Sequence, residues 1–158
     1  MDVHPQIQPL AFLLGTWRGE GQGRYPTIAD FAYGEEIAFA HVGKPFLAYT
    51  QRTWALDDQR PLHAETGYLR RTAEGALEWL LAHPTGIAEV ELGSLDGATL
   101  RLRSVGVLCT PTAKRVDELT RELTVDGDEL RYELHMAAVG EPLTFHLSAT
   151  LRRVRDRG

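Results

Sequence analysis

The chain has 158 residues, 43% of them hydrophobic and 25% charged, with a formal net charge of −5. That balance fits one soluble domain spanning 1–158, large enough to bury a core without disulfides, and its negative charge argues against a nucleic-acid partner. Every apolar run is shorter than a membrane span, the N-terminus lacks the basic and apolar regions of a secretory leader, and the lone Cys109 fits a reducing, cytoplasmic setting.

Residues 2–6 read as a frayed end. A short helix is expected over Ile7 to Leu14, with Pro9 in its first turn, Leu10, Leu13 and Leu14 on one face, and Gly15 as its stop. The next stretch, 15–24, carries Gly15, Trp17, Gly19, Gly21 and Gly23 in one phase. In a strand those residues share a face, which would be bare backbone beside a single indole. Such a face lets another strand or a ligand lie close to the main chain. A bent strand at a barrel corner explains the glycines equally well. Tyr25-Pro26-Thr27 closes the segment.

Further strands are expected at Glu35 to His41, Phe46 to Ala55, Leu62 to Arg71, Ala76 to Ala82, Ile87 to Gly93 and Thr99 to Val105. After a loop from Cys109 to Lys114, three more follow at Val116 to Val125, Glu129 to Ala138 and Pro142 to Val154. Asp96-Gly97 and Asp126-Gly127 are strong hairpin turns. Arg152, Arg153 and Arg155 are expected to trail into a polar tail. Ten short strands joined by tight turns predict an all-β fold: an antiparallel up-and-down β-barrel of the lipocalin or fatty-acid-binding-protein type, behind a short N-terminal helix. Barrels of this size often hold one small apolar ligand.

Motifs for phosphate loops, dinucleotide binding and serine nucleophiles are absent, and His63-Ala64-Glu65 has no Pro-Cys-x-x-Cys partner, which excludes the zinc deaminase pattern. Among the histidines, His41 and His83 sit beside turns and read as surface residues, and His135 reads as solvent-facing. His63 fits either a pocket or a rim. His146 lies in a strand whose odd phase is Leu143, Phe145, Leu147, Ala149 and Leu151, and whose even phase is Thr144, His146, Ser148 and Thr150. Simple alternation turns His146 to water. The alternative turns the small polar phase to a cavity, where one imidazole would be the only strong donor. A single histidine suffices for haem, because the porphyrin supplies four nitrogens of its own.

Ordered blocks then carry a resemblance over about residues 8 to 154. They are Gly15-Thr16-Trp17-Arg18-Gly19-Glu20-Gly21, Tyr25-Pro26-Thr27-Ile28, Tyr33-Gly34-Glu35-Glu36, His41-Val42-Gly43-Lys44-Pro45, Leu62 through Gly67, and Pro142-Leu143 through His146-Leu147. The chain resembles the bacterial nitrobindins, a haem-binding barrel family also called peroxynitrite isomerases. The resemblance implies one haem b per chain near the barrel mouth, with ferric iron held by His146. It also implies a haem contact from Thr27, and pocket positions at His63 and Met136. Leu62 stands where the family often has methionine. The glycine strand, with Gly15, Trp17, Gly19 and Gly21, would form one side of the haem slot, and Lys44 would approach a propionate. The implied activity is isomerisation of peroxynitrite to nitrate, with nitric oxide as a second ligand. A homodimer is compatible with the sequence, which marks no interface. The alternative function is a non-catalytic barrel for fatty acids or other small apolar ligands, which shares the Gly-x-Trp start.

Overall fold

Turn-forming pairs cut the chain into ten strands, and each pairs antiparallel with the next in sequence. They are β1 (Gly15–Tyr25), β2 (Ile28–Ala40), β3 (Phe46–Ala55), β4 (Pro61–Arg71), β5 (Leu77–His83), β6 (Ile87–Asp96), β7 (Thr99–Cys109), β8 (Val116–Asp126), β9 (Glu129–Ala138) and β10 (Thr144–Arg153). The computed structural model describes residues 1–155, so the polar tail expected beyond Arg155 lies outside the described residues. Pairing of β1 with β10 closes the sheet into a barrel, as expected for an up-and-down meander. Closure leaves no edge strand to template aggregation.

A 3₁₀ helix (Pro5–Leu13) replaces the expected helix from Ile7. It starts earlier because His4 caps it, its Nδ1 accepting the Gln6 N–H at 3.2 Å. Ile7, Leu10 and Leu13 are fully buried with Trp17, Leu47, Leu69, Leu77, Leu100 and Leu130, so this helix plugs one end of the barrel. Arg153 fastens the plug. It does not trail into solvent: its guanidinium stacks 4.1 Å from the Trp17 ring centre. It also donates to the Leu14 and Phe12 carbonyls, the latter at 3.0 Å, and to Asp128 at 3.1 Å. Trp17 Nε1 donates to the Leu13 carbonyl at 2.8 Å, tying strand to plug.

The glycine face of β1 points inward, but it is already covered. A Cβ on Gly21 would sit 2.4 Å from the Tyr33 ring, and one on Gly23 would sit 2.2 Å from the Phe31 ring. On Gly19 it would meet the Thr150 carbonyl at 2.2 Å and Leu151 Cα at 2.9 Å. The bulky group these glycines admit is therefore the aromatic pair of β2 and the backbone of β10. β2 itself begins at Ile28, well before the expected Glu35, because it continues pairing with β1 up to Tyr25.

Midway up the barrel, the interior turns polar. Arg121 of β8 is 7% exposed and faces Glu65 of β4 and Glu89 and Glu91 of β6. It reaches Glu65 with two hydrogen bonds (3.0 and 3.4 Å) and Glu89 with one (2.5 Å). Its Nε lies 2.7 Å from Glu91 without the alignment of a hydrogen bond, so neither Glu91 oxygen receives a donor. Burial would raise all three carboxyls. Arg121 reverses that for Glu65 and Glu89, which are held below the ordinary carboxylate value. For Glu91 burial prevails, reinforced by the Glu89 and Glu65 charges, and pushes it up to about 8. Glu35, bonded by Gln51 (2.7 Å) and Tyr132 (3.1 Å), is likewise pushed by burial to about 7.

Two predictions follow from these contacts. Gly19→Ala forces β10 away from β1 and destabilises the chain by about 1–3 kcal/mol, read as a lower urea midpoint at unchanged slope. The second concerns pH. Glu35 and Glu91 keep protons in the folded state that the unfolded chain releases near the ordinary carboxyl value. Their contribution is complete at acid pH and is lost as pH rises through about 7 to 8, at up to about 1.4 kcal/mol per pH unit for each retained proton. Glu65 and Glu89 act oppositely, losing their contribution only in acid. Urea titrations in chelator-containing buffer should therefore show stability falling from about pH 5 to about pH 8 and levelling off above it. Glu91→Gln should flatten that slope; an unchanged slope would contradict the assignment.

Candidate functional site

The β1–β2, β3–β4, β5–β6, β7–β8 and β9–β10 connections all lie at the end opposite the plug. His146 is placed there by a break in register. Phe145 pairs with His135 and Leu147 with Leu134, leaving His146 as the extra residue of a β-bulge. Bulges re-aim side chains, which settles the phase that alternation left open. The β1–β2 register shifts at the neighbouring level, between Gly23 and Tyr25. Together these irregularities put the His146 Nδ1 3.1 Å from the Arg24 carbonyl oxygen.

A carbonyl only accepts, so Nδ1 carries the proton and Nε2 keeps a free lone pair. Tyr25 packs against the imidazole at 5.2 Å between ring centres, edge to face. Its own hydroxyl is pinned by the Ala138 N–H (2.8 Å) and the Met136 and Ala138 carbonyls (3.1 and 3.2 Å). Burial lowers the His146 pKa, the nearby His63 charge lowers it further, and the Arg24 carbonyl partly offsets both. His146 is thus a neutral, oriented imidazole at neutral pH.

Thr27 occupies the exposed turn between β1 and β2, two residues beyond Tyr25. Met136 of β9 pairs with Thr144 beside the bulge and shares the inward phase of Leu130 and Leu134. His63 enters the same end near the start of β4, with its side chain 34% exposed. Ile28, Leu62 and Leu143 are exposed apolar side chains on strands or loops at this end. One oriented imidazole with a free Nε2 near an apolar rim is a donor set that fits a haem. It does not fit a bare ion, which needs further ligands at the same point.

Five of the expected contacts lie away from His146. Gly15 and Trp17 lie at the plugged end, where Trp17 is fully buried in the core. Gly19 and Gly21 are shielded by β10 and Tyr33. Lys44 lies in the β2–β3 connection, also at the plugged end, far along the barrel from His146.

His83 corrects the surface reading in the other direction. Its side chain is 9% exposed, with Nδ1 3.2 Å from Glu65 Oε2 and 3.1 Å from His63 Nε2, and with Nε2 3.3 Å from Glu89 Oε1. The signal was present in the sequence: Leu77, Trp79, Leu81 and His83 form one phase, and the first three are buried. His135 does face outward, pairing with Glu133 at 3.5 Å.

Comparison with known proteins agrees with this architecture. A family model described as "THAP4-like, heme-binding beta-barrel domain" matches residues 6–153. The chain is 57% identical over 155 residues to a protein of Nocardia farcinica named peroxynitrite isomerase, covering 96% of this chain and 92% of that one. It is 54% identical over 160 residues to peroxynitrite isomerase 1 of Mycolicibacterium paratuberculosis, covering 98% of each. The crystal structure of Rv2717c from M. tuberculosis superposes with a TM-score of 0.92 at 52% identity, covering 98% of this chain and 100% of that one. With its barrel, its bulged histidine and a family match across nearly all the described residues, this chain belongs to the THAP4-like heme-binding β-barrel family.

Proposed function

We propose that the chain holds one haem b through His146 and uses it to isomerise peroxynitrite to nitrate, with nitric oxide as an alternative ligand. The observation that carries this reading is the His146 geometry: a bulge that re-aims the ring, and a backbone carbonyl that holds Nδ1 so that Nε2 is free. The names of the Nocardia and Mycolicibacterium relatives support the substrate. When bound at His146, a ferric haem would supply Lewis acidity toward an oxygen of the anion.

The chain's own residues supply the setting. The Arg24 carbonyl accepts from Nδ1 and the Tyr25 ring packs against the imidazole, which together fix its orientation. Ile28, Leu62 and Leu143 provide apolar surface to keep water from the reacting anion, and Thr27 stands at the rim as a polar contact. Peroxynitrite and nitrate have the same atoms, charge and electron count. One O–O bond breaks and one N–O bond forms, so no proton, electron or redox partner is consumed. The site accordingly needs orientation and shielding more than acid–base groups.

A lipid-carrying barrel finds less support. Its lumen would have to be apolar, whereas Glu35, Glu65, Glu89, Glu91 and Arg121 fill the middle of this one.

Two experiments test the reading. Haem titration of the parent chain should give a Soret band that His146→Ala abolishes or weakens at least about tenfold, since losing even a hydrogen-bond partner of a ligating histidine costs about that much. Undiminished affinity and an unshifted band in the variant would sink the assignment. Separately, ferric protein should protect free tyrosine from nitration by peroxynitrite and raise the yield of nitrate. His146→Ala and the haem-free chain should give no protection.

A further inference from the structure

His63, Glu65 and His83 turn three metal-type donor atoms toward one point, with no part in holding His146. His63 and Glu65 alternate on β4 and so share its inner face, and His83 is the last residue of the neighbouring strand β5. The separations are 3.1 Å between His63 Nε2 and His83 Nδ1, 3.2 Å between His83 Nδ1 and Glu65 Oε2, and 3.8 Å between His63 Nε2 and Glu65 Oε2. Tetrahedral ligands on a zinc-sized ion stand about 3.3 Å apart. A point equidistant from these three atoms in their own plane lies about 2.0 Å from each, which is the length of a zinc–histidine bond.

The surroundings are built like those of a metal centre. His83 Nε2 faces Glu89 Oε1 at 3.3 Å, the carboxylate–histidine arrangement that aims the other ring nitrogen at an ion. Glu65 Oε1 is held by the Tyr49 hydroxyl (2.7 Å) and Arg121 (3.0 Å), which fixes the carboxylate with Oε2 toward the histidines. Charge also favours a cation. The Glu65 and Glu89 carboxylates meet a single guanidinium, and Glu89 Oε2 lacks a donor. An ion on His63, Glu65 and His83 supplies the missing positive charge.

We propose that His63, Glu65 and His83 bind a divalent transition-metal ion of the zinc type, at a site distinct from the haem-binding His146. Two histidines and a glutamate leave one tetrahedral position for water or a small anion. With its side chain a third exposed, His63 gives the ion a route in from the mouth.

Calorimetric titration of the full chain with Zn²⁺ tests this, in haem-loaded and haem-free form. A Cys109→Ser background removes the exposed thiol as a competing ligand. The expected result is saturation at one ion per chain, and Co²⁺ on the haem-free form should give the intense visible bands of a tetrahedral site that Zn²⁺ bleaches. His63→Ala and His83→Ala should abolish both signals, Glu89→Gln should weaken binding about 10–100-fold, and His146→Ala should leave it as in the parent. His63 is exposed enough that its loss should spare the far-ultraviolet circular dichroism, so a folding defect in His83→Ala would not blunt the test. No saturable binding in the parent, or undiminished binding in His63→Ala, overturns the site.

Discussion

Arg121 is the group on which the arrangement of the barrel interior depends. A guanidinium 7% exposed in a protein core is tolerable only when carboxylates surround it. Glu65 and Glu89 provide that from two other strands, and each is in turn spoken for by further partners. Removing one partner from such a set leaves an uncompensated charge, at a cost of about 3–5 kcal/mol. The layer therefore locks β4, β6 and β8 in register with one another across the lumen. It also separates two regions with different tasks. Toward the plug the interior is largely apolar, closed by Ile7, Leu10 and Leu13 over Trp17. Toward the mouth lie His63, His83 and His146.

The mouth is shaped by departures from regular pairing. A strand without a bulge would give His146 the phase of Ser148 and Thr150 and turn it outward. One extra residue in β10, beside the shift in β1, instead brings the ring to the Arg24 carbonyl. The rigid, plugged half bears the cost of this irregularity, because it carries the largest buried side chains. That division follows a general pattern in which stable elements position less regular functional ones.

Much of this could be read in the sequence, for identifiable reasons. Asp-Gly turns and alternating strands predict the ten-stranded meander, and the ordered motif blocks single out His146. What periodicity misreads are the places where polarity is inverted. In β6 the apolar residues Val90 and Leu92 face outward, 40% and 45% exposed, while Glu89 and Glu91 are buried. A rule that sends apolar residues inward places this strand backwards, because its charges find Arg121 only in the folded barrel. The inward phase of His83 was legible beside Leu77, Trp79 and Leu81, but its partners were not, since Glu65 and Glu89 come from other strands. The glycines of β1 are a different case. Their bare face was legible, but its occupant was not, since nothing local says that Tyr33 and Phe31 rather than a ligand will lie there.

The choice of partner for His146 bears on the proposed chemistry. A carboxylate on Nδ1 would draw its proton strongly and make the ring a more basic, more electron-donating ligand. Arg24 offers a neutral carbonyl instead, and burial keeps the ring itself uncharged. A ligand of modest donor strength would leave a bound ferric iron a stronger Lewis acid toward an oxygen of the anion. Glu65, Glu89 and Glu91 are kept one layer deeper, held by Arg121 and His83 rather than by His146. The same fold thus separates a weakly donating imidazole at the mouth from a strongly anionic interior, and an isomerisation that moves no net charge requires only the first.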